Sequence, residues 1–120
     1  MPNQVVWFDI PVLNLDRAIR FYSAVLGVEV KKEQFQGLAL GVLPHEDKGV
    51  GGCLFQQEGE RPSGHGPLLY LNAQGRLDQA VAAVEPNGGR VLQPKHPIGP
   101  HGFRAVVLDS EGNRVGLHSM

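Results

Sequence analysis

The sequence reads as an α+β chain made of two tandem βαβββ modules. Three observations carry this. Strand-like and helix-like runs follow one order, and that order occurs twice. The apolar stripes of the two helical segments agree at a fixed offset: Leu15, Ala18, Ile19 and Tyr22 are answered 62 positions later by Leu77, Ala80, Val81 and Val84, and Gly27 by Gly89. The chain closes on a hairpin-like stretch, residues 101–119, HGFRAVVLDSEGNRVGLHS. Chance agreement between two amphipathic helices is the ordinary alternative to the repeat. Each unit alone is too short to bury its own sheet, so the two must pack together or against another chain.

In chain order, residues 5–12 form the first strand, with Phe8, Ile10 and Val12 on one face and Trp7, Asp9 and Pro11 on the other. Asn14 is a good helix N-cap, and Asp16 places a negative charge in the first turn. Leu15, Ala18, Ile19, Tyr22, Val25 and Leu26 recur at helical spacing up to Gly27, which serves as the C-terminal cap. Strand-like runs follow at 28–35, 38–43 and 50–57, the last two separated by the loop 44–49. Residues 58–66, EGERPSGHG, are rich in Gly, Pro and charge and connect the halves. The second half repeats the scheme: a strand at 67–71, a helix on the Leu77, Ala80, Val81 and Val84 stripe, a stop at Pro86-Asn87-Gly88-Gly89 and a strand at 90–93. Residues 95–103, KHPIGPHGF, read as a stiff Pro/Gly-held loop. Residues 105–108 are an apolar strand, 109–113 a turn, and the last strand alternates Val115 and Leu117 against Arg114, Gly116 and His118.

Composition bounds the function. The chain has 120 residues, 42% of them hydrophobic, which suits one compact domain, 1–120. A formal charge of -1 without a basic block argues against nucleic acid or an anionic membrane surface as main partner. No apolar run approaches the ~20 residues that span a bilayer. Met1-Pro2-Asn3-Gln4 is not a secretory leader, and Cys53 alone cannot form an intrachain disulfide, so the expected location is cytoplasmic.

Ile10-Pro11-Val12, Leu15-Asp16-Arg17-Ala18-Ile19-Arg20-Phe21-Tyr22, Val25-Leu26-Gly27 and the turn Asp109-Ser110-Glu111-Gly112-Asn113 together resemble the vicinal oxygen chelate superfamily. That superfamily holds glyoxalase I, extradiol dioxygenases and the bleomycin- and fosfomycin-resistance proteins, and the ending EGNRVGLHS is similar to its glyoxalase-like group. The resemblance implies paired βαβββ modules around an open cavity, a small-molecule ligand and a homodimer. Its metal-dependent members hold four His, Glu or Gln ligands. Carried over by position, these fall on Trp7, Leu69, Gly116 and, more loosely, Cys53. Trp, Leu and Gly side chains cannot bind a divalent ion, so no metal and no cofactor are expected.

Two groups of residues are candidates for chemistry. His118 lies two residues after Gly116 and Asp9 two after Trp7, so both should face the cavity. A carboxylate beside the imidazole would orient it as a general base. A solvated histidine and a salt-bridge aspartate are the ordinary alternatives. In the 95–103 loop, Lys95 and His101 suit an anion or carbonyl, with Phe103 as an apolar wall; a stiff exposed connector is the alternative. Trp7, Cys53, Phe55, Leu69 and Gly116 are expected to line the cavity, against plain core roles. The five histidines show no metal-binding spacing. The expected function is a metal-independent glyoxalase-like protein that binds a small organic molecule in the inter-module cavity, open to lyase or isomerase chemistry through His118 assisted by Lys95 or His101, with a non-catalytic drug-sequestering protein as the alternative.

Overall fold

A computed structural model describes residues 3–120; Met1 and Pro2, part of the leader reading, lie outside the described residues. The first module is β1 (Trp7–Pro11), α1 (Leu15–Leu26), β2 (Lys31–Phe35), β3 (Leu38–Val42) and β4 (Gly51–Phe55). The second is β5 (Leu69–Asn72), α2 (Leu77–Val84), β6 (Arg90–Pro97), β7 (Phe103–Leu108) and β8 (Arg114–Ser119). Each module folds its strands into one sheet, in the orders β1-β4-β3-β2 and β5-β8-β7-β6. The first strand of each pairs in parallel with the last, and the remaining pairs are antiparallel. This is the expected α+β fold of two βαβββ modules.

Local chemistry explains the first helix. The Asn14 side chain accepts from the Arg17 amide, and Gly27 takes φ 67° while its N–H donates to Ser23 O. Phe21, absent from the expected stripe, is fully buried beside Tyr22 and widens it. The second helix stops differently. A single 3₁₀ turn, Glu85–Asn87, follows it, and the left-handed residue is Gly88, φ 95°. Gly89 is small for another reason: a Cβ there would stand 2.5 Å from Leu108 O and from Phe21.

The 62-residue offset holds for the helices and slips by one in the strands. Val12 N donates to Phe55 O, and Ala73 N to His118 O, so Ala73 is the counterpart of Val12. The β5–α2 connection carries one extra residue, accommodated by Gly75 at φ 75°. A second difference concerns β6, which runs on to Pro97 through two register shifts. The loop expected at 95–103 is therefore strand at both ends, 95–97 and 103, and the connection shortens to residues 98–102 around the 3₁₀ turn Gly99–His101.

The two modules share one core. Ile10 and Leu54 of the first sheet, Val12 just beyond β1, and Leu71, Ala105, Val107, Val115 and Leu117 of the second sheet join Phe21, Tyr22, Ala80 and Val84 of the helices. The 109–113 turn of module two reaches across to α1. Glu111 Oε1 accepts from the Leu13 and Asn14 amides at 2.9 and 2.8 Å. Arg17 donates to both carboxylate oxygens of Glu111, from Nε at 2.7 Å and Nη2 at 2.8 Å. Tyr22 donates to Asp109 at 2.5 Å, and Asn113 Nδ2 to Pro11 O at 2.8 Å. At the other end of the helix, Arg76 Nη1 donates to Val25 O at 2.5 Å. Module two thus places an anion at the N-terminus of α1 and a cation at its C-terminus, matching the helix dipole. Among the described residues, no helix is long and apolar enough to cross a membrane.

Candidate functional site

Because both helices pack into the shared core, each sheet turns its other face outward. On the first sheet, the register Trp7–Gly51, Asp9–Cys53 and Pro11–Phe55 puts Trp7, Asp9, Cys53 and Phe55 on that helix-free face. Trp7 Nε1 donates to Asp9 Oδ1 at 2.9 Å, and Cys53 Sγ to the same oxygen at 3.2 Å. The Trp7 ring meets His45 edge-on at 5.8 Å, and Gly51 leaves it room: a Cβ there would stand 2.7 Å from the indole. Burial first, then the bond and charge of Asp9, push the Cys53 thiol up to about 12. Cys53 is thus a protonated, inert group.

On the second sheet, Tyr70–Gly116, Asn72–His118 and Arg104–His118 are cross-strand partners on the helix-free face. His118 Nε2 donates to the His101 carbonyl at 2.6 Å, leaving Nδ1 outside this bond. The Tyr70 and His118 ring centroids are 6.2 Å apart. Two clefts flank the seam between the modules. One of about 350 Å³ is lined largely by apolar groups, including Phe8, Leu26, Val28 and Leu71, with Tyr70 and Asn72 at its border. The other, about 260 Å³, is bordered by Asp9, Arg61, His65 and Arg114.

The expected site residues therefore divide into three places. Trp7, Asp9, Cys53 and Phe55 share the first helix-free face. Gly116 and His118 share the second, with His101 at its rim. Leu69, Lys95 and Phe103 lie on the helix side. Leu69 pairs with buried Val115 and packs against the core, because the strand offset slips by one. Lys95 pairs with Asp78 of α2 at 3.2 Å, with its ammonium 5.3 Å from the Phe103 ring. Within one protomer Asp9 and His118 are not partners: Asp9 is engaged by Trp7 and Cys53, His118 by His101. The expected carboxylate–imidazole pair is not formed, because the two side chains stand on different sheets.

The positions that correspond to family metal ligands offer Trp7, Gly116, a leucine and the protonated Cys53 thiol. That donor set does not fit a divalent ion. Arg104 and Tyr70, which sequence reasoning passed over, complete the second face together with His96, which it placed only in the 95–103 loop. Arg104 Nε donates to His96 Nε2 at 3.0 Å, and Arg104 Nη1 to the Tyr70 hydroxyl at 2.5 Å. The alternation of residues 103–108 could have flagged Arg104 as the one charged residue of that strand; His96 was hidden by the loop reading, and Tyr70 by the one-residue slip.

The comparisons with known proteins agree with this architecture. The model of the Glyoxalase/Bleomycin resistance protein/Dioxygenase superfamily matches residues 4–117. A glyoxylase-like domain-containing protein from Didymella fabae is 31% identical over 121 residues, spanning 92% of this chain and 89% of that protein. A glyoxalase/bleomycin resistance protein from Albidiferax ferrireducens T118 superposes with a TM-score of 0.77 at 20% identity, over 98% of this chain and 99% of that one. The fosfomycin resistance protein FosX from Listeria monocytogenes does so at 0.68 and 12% identity, over 100% and 95%. At such identities the solved structures speak for the fold, whereas the family match spans nearly every residue of both modules. The chain belongs to the Glyoxalase/Bleomycin resistance protein/Dioxygenase superfamily.

Proposed function

We propose that this protein binds a small organic molecule on the helix-free sheet faces, in a cavity completed by a second copy of the chain. The supporting observation is that large aromatic side chains are exposed there yet held in place. Trp7 is 44% and Tyr70 47% exposed, and each is fixed by a hydrogen bond to a neighbour on its own face. Exposed but preorganised aromatic groups beside a few polar ones are the marks of a ligand surface. The edge strand β2 is exposed throughout, and Phe35 is 62% exposed, which leaves apolar surface for a partner copy to cover.

His118 is the residue proposed to act on the ligand, through Nδ1. The lack of a carboxylate partner in the protomer favours binding without turnover as the first reading. Lyase or isomerase chemistry requires the Asp9 of a second copy, or a ligand group, to supply that charge. The proposed setting is the cytoplasm, supported by a single cysteine, which can form no intrachain disulfide.

A thermal-stability screen against small organic acids, amides and drug-like aromatics tests this, because a ligand that prefers the folded state raises its melting temperature. At least one compound should stabilise the protein, and His118→Ala should abolish that gain while Lys48→Ala leaves it. Sedimentation should show a dimer. Equal loss in both variants would remove His118 from the site.

A further inference from the structure

We propose that Arg104 is an anion anchor, so that the molecule bound on the second helix-free face is a small organic acid with an aromatic or apolar body. This rests on the reading that the face binds a small molecule, and it names the chemical class.

Arg104 stands mid-sheet, opposite His118 on β8 and His96 on β6. Its guanidinium is held from two sides. Nε donates to His96 Nε2, and Nη1 to the Tyr70 hydroxyl, with the guanidinium carbon 5.8 Å from the Tyr70 ring centre. His96 Nδ1 faces the Pro94 carbonyl at 2.8 Å, so Nδ1 carries the proton and Nε2 offers its lone pair. Both partners are neutral acceptors. They orient the cation without neutralising it, and Nη2 has no hydrogen-bond partner among the described residues.

No internal counter-charge is at hand. The ion pairs among the described residues join Arg17 to Glu111, Lys32 to Asp16 and Lys95 to Asp78. None of β5, β6, β7 and β8 carries an Asp or Glu. The other arginine of that face, Arg114, pairs across from Leu108 at the far end of the strands and donates from Nη2 to Gly66 O at 2.9 Å, so Arg104 is the cation of this face left to a ligand. A planar guanidinium, oriented in advance and only part-buried, matches carboxylate or phosphonate oxygens in shape and charge. The half-exposed Tyr70 ring beside Gly116 offers a flat apolar surface next to it.

The test is a titration of isotope-labelled protein at constant ionic strength with three probes: benzoate, phenylphosphonate and benzamide, the last uncharged. Arg Nε–H and backbone amide resonances report binding. The two anions should shift Arg104 Nε–H and the Tyr70 and His118 amides saturably, and benzamide should bind about tenfold more weakly or worse. Arg104→Gln should erase the preference for anions, and Lys48→Gln should keep it. Tyr70→Phe retains the cation but frees it, and should weaken anion binding several-fold; it carries the test if Arg104→Gln does not fold. Benzoate and benzamide binding this face equally, anion affinity surviving Arg104→Gln, or, where that variant is unfolded, anion affinity unchanged by Tyr70→Phe would overturn the anchor and leave the small-molecule reading standing. No binding by any probe up to about 20 mM would overturn both.

Discussion

Glu111→Gln should destabilise the protein severely at neutral pH and much less in acid. The Glu111 side chain is fully buried, at 0% exposure. Burial alone would push its carboxyl up, but the bonds from Arg17, Ser110 and the Asn14 and Leu13 amides outweigh that and lower it from 4.5 to about 2. At about 1.4 kcal/mol per pH unit, the difference corresponds to about 3 kcal/mol. The Arg17 bond is the largest of the lowering effects, and because Arg17 is 44% exposed, solvent screening trims its share and the sum with it. A depressed carboxyl stabilises the fold above the unfolded value and loses that contribution as pH falls from about 4.5 towards about 2. In the Gln variant an NH₂ group faces Arg17 Nε–H, two donors with nothing between them. We expect a loss of about 2–3 kcal/mol at pH 7, a melting point lower by roughly 10 °C, and an unchanged denaturant slope. Urea unfolding followed by circular dichroism at pH 7, 4 and 3 measures this, and the gap between variant and parent should shrink with acid. A variant within about 0.5 kcal/mol of the parent at pH 7, or a gap of constant size down to pH 3, would refute the argument.

Five further outcomes are expected. Tyr22→Phe removes the donor to buried Asp109 and should cost about 1–3 kcal/mol in urea unfolding. Burial, then the charge of Asp109, holds the Tyr22 hydroxyl well above its usual range, so alkaline spectrophotometric titration should show it ionising only as the fold is lost. Cys53, with its thiol near about 12, should resist iodoacetamide at pH 8 and react readily once urea unfolds the chain; fast labelling of folded protein would contradict the Cys53–Asp9 geometry. Gly27→Ala forces a side chain into φ 67° with a Cβ 2.8 Å from the Arg76 guanidinium, and calorimetry should record a loss of about 1–2 kcal/mol. Gly89→Ala presses on Leu108 O and Phe21 and should cost more, since backbone and core ring cannot both move aside.

What could be read in advance followed the physics of short range. The Asn14 cap, the Gly27 stop, the helix stripes and the apolar 105–108 strand depend on neighbours a few residues away, and local residue order reveals them. The one-residue slip between strand and helix offsets depends on a turn, and it moved Leu69 to the helix side. The bulged course of β6 depends on pairing with β7, so the Pro- and Gly-rich stretch looked like a free loop. Asp109, Glu111 and Asn113 read as turn chemistry; their partners Tyr22, Arg17 and Pro11 lie about ninety to one hundred residues back, out of reach of any local pattern. The site suffered most from this, because Arg104, His96 and Tyr70 come together only through strand pairing.

The charges that module two lays at both tips of α1 bear on whether the halves can be separated. A backbone cut in the 58–66 connector removes no strand and no helix, yet it strips α1 of Glu111 and Arg76 and exposes Tyr22. The amino-terminal fragment alone should be poorly ordered, and mixing it with residues 67–120 should restore the native spectrum with second-order kinetics. The βαβββ order occurs twice, yet α1 takes its buried ionic partners from the other half.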